Sequence, residues 1–160
     1  MDSIKQQKLR RAIASRLTGL YVIADPALRP GGDIIDAAHA ALHGGACAIQ
    51  WRDKHRDKGT QLPEIYALAK LCQQYGALFI INDHADIALA CNADAIHVGQ
   101  NDLPIAIARQ ILNPNQLIGN SNALLKEARQ SAEQGADYIA VGAIYPTTTK
   151  NDTRPAGLET

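Results

Sequence analysis

An α/β protein built on a parallel sheet is what this sequence predicts. Six short apolar runs are spaced along 160 residues, and each except the last is followed by a stretch with helical periodicity. Several runs are apolar almost throughout, as in strands covered on both faces. Gly or Pro marks many of the joints, where helices stop or start. Strands alternating with helices imply βαβ units.

Taken in order, GLYVIA (19–24) is the first strand and DPALRPGG a loop. In DIIDAAHAALHGG, Ile34, Ile35, Ala38, Ala41 and Leu42 share a helical face. Asp33 stands where an N-cap belongs, and Gly44–Gly45 stop the helix. ACAIQW is the second strand and RDKHRDKGT a polar loop. LPEIYALAKLCQQYG is a helix with Pro63 in its first turn and Gly76 just past its end. ALFIIND is a strand, ADIALACN a short helix and DAIHVG a strand. LPIAIARQILN is a helix opened by Asp102 and Pro104, and QLIGN is the fifth strand. ALLKEARQSAEQG is a helix closed by Gly135, and DYIAVGAI is the sixth strand.

A single domain over 1–160 fits the length, with 1–18 as an exposed N-terminal helix or extension. An apolar fraction of 46% supports a core. Lys plus Arg equals Asp plus Glu, so no global charge points to nucleic acid or an anionic membrane. No apolar run has the ~18 residues of a spanning helix. Three widely spaced cysteines fit neither a disulfide framework nor a CxxC motif, which favours the cytoplasm.

Two parallel architectures compete. An open doubly wound nucleotide fold should show GxGxxG or GxxxxGK[ST] after an early strand, and neither occurs. The polar residues gather instead at the C-terminal ends of many strands, where a TIM (β/α)8 barrel carries its site. Such a barrel takes about 250 residues, so the expectation is a barrel truncated after about the sixth strand.

Five strand ends carry the polar signal. In QWRDK, alternation places Gln50, Arg52 and Lys54 on one side, with Trp51 and Asp53 on the other. An amide, a guanidinium and an ammonium converging there suit a diphosphate, although a solvated charged loop also fits. In IIND, Asp83 is a hard-oxygen candidate for Mg²⁺ and Asn82 a substrate contact; capping of the next helix is an equal alternative for Asp83. In HVGQND, Asp102 repeats that placement one strand over, with the same capping alternative. His97 reads as a satisfied core histidine. IGNSN offers the Ser121 hydroxyl or a helix cap. YPTTTK offers Thr147, Thr148, Thr149 and Lys150 as hydroxyls and an ammonium for a phosphate. The set describes Mg²⁺-assisted departure of a diphosphate, with room for a second phosphorylated ligand.

These stretches resemble the thiamine-phosphate synthase family: GLYVIADPALRPGG, QWRDK, LFIINDHADIALA, ADAIHVGQNDLP, IGNSN, GADYIAVGAIYPTTTK and PAGLE, in the family's order. The resemblance implies a (β/α)8 barrel that joins hydroxymethylpyrimidine diphosphate to thiazole phosphate, releasing pyrophosphate. It implies that Gln50, Arg52, Lys54 and Asn82 bind the pyrimidine diphosphate and that Asp83 and Asp102 hold Mg²⁺. Ser121 and Lys150 would face the pyrimidine substrate or its pyrophosphate, and Thr147, Thr148 and Thr149 the thiazole phosphate. Arg52, Lys54 and Lys150 would be the catalytic cations. Two alternatives stay open: a thiazole tautomerase-like enzyme on the same barrel, and an incomplete, non-catalytic chain that at most binds ligand. A barrel missing two units would expose strand edges suited to self-association.

Overall fold

Every predicted strand and helix is present in the computed structural model, which describes residues 3–145 and 156–158. An N-terminal helix, α1 (Ser3–Ala14), precedes the strand–helix units. These are β1 (Tyr21–Ala24), α2 (Ile34–His43), β2 (Ala48–Trp51), α3 (Lys58–Tyr75), β3 (Leu78–Asn82) and α4 (Ala85–Ala90), followed by β4 (Ala95–Val98), α5 (Ile105–Ile111), β5 (Leu117–Asn122), α6 (Leu125–Glu133) and β6 (Tyr138–Val141). The six strands are all parallel and lie side by side in chain order. Crossovers of one hand between successive neighbours put α2 to α6 on one face of the sheet.

The sheet is curled. Neighbouring strands lie about 4.8 Å apart, so the edges of a flat sheet of this size would stand roughly 24 Å apart. Yet the hydroxyls of Tyr21 on β1 and Tyr138 on β6 lie 3.3 Å from each other. Two tyrosines cannot span the flat distance, so both edges turn toward a shared inner face.

Side-chain alternation divides the core in two. Ile49, Trp51, Phe79, Ile81, Ile96, Val98 and Ile118 point into the helix layer and pack on Ile34, Leu42, Ile65, Leu68 and Ala108. Ala48, Leu78, Ile80, Ala95 and Leu117 form the floor of the inner face. Ile13, Ala14 and Leu17, from α1 and the residues after it, pack against that floor.

Most of α1 is exposed, yet its C-terminal end and two nearby arginines dock on the sheet. Arg10 Nε reaches Asp137 Oδ1 at 2.9 Å and its Nη1 reaches the Pro114 carbonyl at 2.9 Å. Arg16 Nη2 bonds the Gly76 carbonyl at 2.8 Å. These acceptors precede β6, β5 and β3, so α1 closes the N-terminal end of the sheet and leaves the C-terminal ends open. Asp137 also accepts from Arg109 and from the Ile118 amide at 2.9 Å. Removing this shared carboxylate strands two guanidinium groups. Asp137→Ala is expected to lower unfolding free energy by about 2–4 kcal/mol in urea titration.

Several boundaries differ from the sequence reading, among them those of α3, β5 and β6, which ends at Val141 rather than Ile144. Helix α3 begins at Lys58, not Leu62, so Pro63 lies inside it. The Asp57 carbonyl accepts from the Thr60 amide at 3.1 Å and its hydroxyl at 2.7 Å, which starts the helix ahead of the proline. Pro63 forfeits one backbone bond. Strand β5 runs on through Asn122 because its pairing with β6 extends to Asn122 opposite Val141.

Candidate active site

The strand register builds the site in layers. Asn82, His97, Gly119 and Tyr138 stand level across β3 to β6. Asn82, His97 and Gly119 share the inner face because each lies two residues beyond the apolar floor, and Tyr138 packs against that floor. Below them the inner surface is apolar; at and above them it is polar and then charged.

A hydrogen-bonded chain crosses this middle layer. Gln50 Nε2 donates to Tyr21 Oη at 2.8 Å. Tyr21 Oη lies 3.3 Å from Tyr138 Oη, which lies 3.1 Å from His97 Nδ1. His97 Nε2 is 2.8 Å from Ser121 Oγ. Burial pushes the Tyr21 phenol up to about 12 and raises Tyr138 as well, so both hydroxyls keep their protons at neutral pH. Gln50 and Ser121, on strands far apart in the sheet, are thus joined through three aromatic side chains. His97 is buried with both ring nitrogens engaged, in line with its reading as a satisfied histidine, but it also bonds a candidate site residue.

Charged groups meet above that layer. Lys54 Nζ, after β2, lies 3.2 Å from Asp83 Oδ2, after β3. The Asp102 carboxyl, after β4, is close enough to Asp83 to raise its pKa. Burial pushes the Asp83 carboxyl above its ordinary range, Asp102 pushes it further, and Lys54 opposes both. Neither acid caps a helix, although capping was the alternative expectation for both. The N-cap positions of α4 and α5 are His84 and Pro104, and neither helix has a side-chain cap bond. Asp102 Oδ2 instead accepts the Gly99 amide at 2.7 Å. Asp83 sits at φ 62°, a left-handed conformation that Asp tolerates better than most residues and that recurs at functional sites.

Arg52 donates Nη1 to Asp25 Oδ2, and its Nε–H is buried without a partner. Asp25 is itself buried and also accepts the Ala27 amide at 3.0 Å. Trp51 and Asp53 face away as alternation requires: Trp51 donates to Gln61 Oε1 at 2.8 Å, and Asp53 accepts the His55 and Arg56 amides. Gln50, Arg52, Lys54, Asn82, Asp83, Asp102 and Ser121 therefore all sit at the C-terminal ends of β2 to β5 or in the loops just after them. Thr147, Thr148, Thr149 and Lys150 lie outside the described residues. Sequence reasoning gave no role to Tyr21 and Asp25, which bond Gln50 and Arg52, or to Tyr138 and Gln100, which bond His97 and the Ser121 carbonyl.

The comparisons with known proteins agree in direction. Residues 20–160 match the family model described as thiamine monophosphate synthase. The chain is 44% identical over 140 residues to a thiamine-phosphate synthase of a Synechocystis strain, covering 88% of this chain and 40% of that protein. It is 45% identical over 158 residues to the Nostoc sp. thiamine-phosphate synthase, covering 99% and 42%. It thus spans about two fifths of the length of these relatives. A solved thiamine phosphate pyrophosphorylase from Pyrococcus furiosus superposes with a TM-score of 0.81 at 39% identity, over 92% of this chain and 68% of that one.

Proposed function

The chain belongs to the thiamine monophosphate synthase family, and from that premise we propose that it condenses hydroxymethylpyrimidine diphosphate with thiazole phosphate, giving thiamine phosphate and pyrophosphate. The observation that carries the reading is the Lys54–Asp83–Asp102 cluster, in which three neighbouring strands deliver one ammonium and two carboxyls to one spot. The curled sheet and its sequential order support a (β/α)8 barrel as the architecture in which this cluster works.

The cluster fits Mg²⁺. Two carboxyls held against each other repel unless a proton or cation intervenes, which the raised Asp83 reflects. Among the described residues no group of three or more His, Cys, Asp or Glu could hold a metal. Mg²⁺ suits that economy, since it binds through one or two carboxylates and keeps waters and phosphate oxygens for the rest. Asp83 and Asp102 would hold it, and it would offset diphosphate charge as the leaving group departs.

The chain's own residues would do the rest. Lys54 and Arg52, with Lys150, stabilise the departing pyrophosphate through charge-assisted hydrogen bonds. A diphosphate oxygen would give the orphan Arg52 Nε–H an acceptor. Departure comes before attack: the electron-rich pyrimidine carries the cation on its exocyclic methylene, and the thiazole nitrogen then bonds to that carbon. No general base is needed, in keeping with a histidine engaged at both nitrogens. Gln50, Asn82 and Ser121 hold the pyrimidine, and Thr147, Thr148 and Thr149 the thiazole phosphate. With Gln50 donating to Tyr21, one consistent direction runs Tyr21 to Tyr138 to His97 to Ser121. The Ser121 proton is then directed to an acceptor on the ligand. The three cysteines, unpaired in this structure, support a reducing compartment such as the cytoplasm. The exposed Ile139 and Val141 on edge strand β6 support association through that edge.

The test is formation of thiamine phosphate from the two substrates with Mg²⁺. Lys54→Ala is expected to lower turnover at least tenfold at saturating substrate. Wild-type turnover in that variant would remove Lys54 from the diphosphate site.

A further inference from the structure

Beyond the inner face, the helix side of β5 holds a second polar assembly. Asn120 and Asn122 point away from Ser121 into the helix layer, where Ile118 on the same strand packs on apolar side chains. Asn120, Asn122 and Ser131 of α6 are 4%, 2% and 4% exposed. Buried amides at such positions are costly unless fully bonded. Here each amide has partners at both its oxygen and its nitrogen: Ser131 Oγ lies 2.8 Å from Asn120 Oδ1 and 2.9 Å from Asn122 Oδ1, its one proton serving one of them at a time. Asn120 Nδ2 donates to the Val98 carbonyl at 3.0 Å, and Asn122 Nδ2 to the Asn120 carbonyl at 2.9 Å.

Both amide oxygens also face Gln100, in the loop between β4 and α5. Gln100 Nε2 lies 2.8 Å from Asn120 Oδ1, 2.8 Å from the Ser121 carbonyl and 3.1 Å from Asn122 Oδ1. Gln100 is the second residue of a turn closed at both ends. The Gly99 amide donates to Asp102 Oδ2 at 2.7 Å, and the Asp102 amide lies 3.4 Å from the Gly99 carbonyl. A Cβ on Gly99 would come within 2.9 Å of Asp102 Oδ2, so the turn has little slack.

We propose that Gln100 is a positioning residue: clamped by Asn120, Asn122 and the Ser121 carbonyl, it fixes the Gly99–Asp102 turn and so holds the Asp102 carboxyl beside Asp83. The proposal rests on the reading of Asp83 and Asp102 as ligands of a divalent cation. It gives work to GQ and to the two asparagines of NSN, which the chemistry leaves unused. It also predicts which chemical group matters. Three acceptors converge on Gln100 Nε2, whose two N–H groups serve two of them at a time, so the clamp needs an NH₂ donor, and a side chain of equal length without one should fail.

The experiment is calorimetric titration of the full chain with Mn²⁺–pyrophosphate, with thermal melts in parallel. Gln100→Met and Gln100→Ala are expected to weaken binding about five- to tenfold while the melting temperature moves by no more than about 3 °C. Ser131→Ala, which loosens the asparagines from below, is expected to weaken it about two- to threefold. Wild-type affinity in Gln100→Met and Gln100→Ala would overturn the clamp, and a lowered melting temperature with unchanged affinity would reduce it to a structural role, which overturns it equally. Asp83→Asn and Asp102→Asn separate the two levels. If they lose binding and Gln100→Met does not, the clamp alone falls; if they bind like wild type, the cation reading falls and takes the clamp with it.

Discussion

Asp83→Asn is expected to slow thiamine phosphate formation at least tenfold and, in the same protein without metal, to raise the melting temperature. The two effects have one cause. Asp83 is held in a partly buried place beside another carboxyl, so its charged form is disfavoured in the fold. Its folded pKa lies above its unfolded one. The sign follows: the group costs nothing below its unfolded pKa, and its destabilising effect grows as pH rises, reaching its full size above the folded pKa. At pH 7 the asparagine removes that effect. It also tolerates the left-handed backbone at φ 62°. What it gives up in the metal-free state is an ion pair to Lys54, which is 50% exposed and therefore contributes little. What it gives up in turnover, on the proposed function, is a carboxylate that would hold Mg²⁺. Melting curves of both proteins in chelator should show the largest gap near pH 7 and convergence near pH 3. A variant less stable than wild type at pH 7, or one with wild-type turnover, contradicts the account. Stability traded for function at one carboxyl is the pattern expected of an active site.

Gly119→Val should be the most damaging substitution on the inner face. Gly119 stands opposite Tyr138 in the β5–β6 register, and any Cβ there would overlap the tyrosine ring. The ring must leave, which breaks its contacts with Tyr21 and His97. Overpacking of this kind costs about 1–3 kcal/mol, and two lost buried hydrogen bonds add about 1 kcal/mol each. A total of roughly 3–5 kcal/mol is expected in urea titration. Gly119→Ala should show a smaller loss, and pairing it with Tyr138→Ala should recover part of that loss, because both act on one space. Additive losses in the double variant would show that the glycine matters for some other reason.

Much of this was legible in the sequence, and the exceptions have physical causes. Period-two alternation placed Gln50, Arg52 and Lys54 on one side of β2 and Trp51 and Asp53 on the other, because pleating leaves no alternative. The unit order was legible because Gly and Pro punctuate it. The start of α3 was not: Pro63 is a strong local signal, but the turn begun at Asp57 and Thr60 outweighs it. Local pattern left capping and a site role open for Asp83 and Asp102, since an acid before a helix looks the same whether it bonds the helix or turns away from it. Only the strand register decides between them. The docking of α1 was invisible for a related reason: Arg10 meets Asp137, which lies 127 positions along the chain. The tyrosine–histidine chain joins β1 to β6 and depends on how far the sheet bends, which no local pattern encodes.

That bend has a consequence for how the molecule opens. The hydroxyls of Tyr21 and Tyr138 meet only while the first and last strands are drawn together. They work as a tie across the mouth of a bow. Straightening the sheet by even a few ångströms breaks the tie and parts the two phenols, though Tyr21 keeps Gln50 and Tyr138 keeps His97. Bending is therefore not a soft coordinate of this chain. The two edge strands should detach together or not at all, and hydrogen exchange should find β1 and β6 opening as one unit.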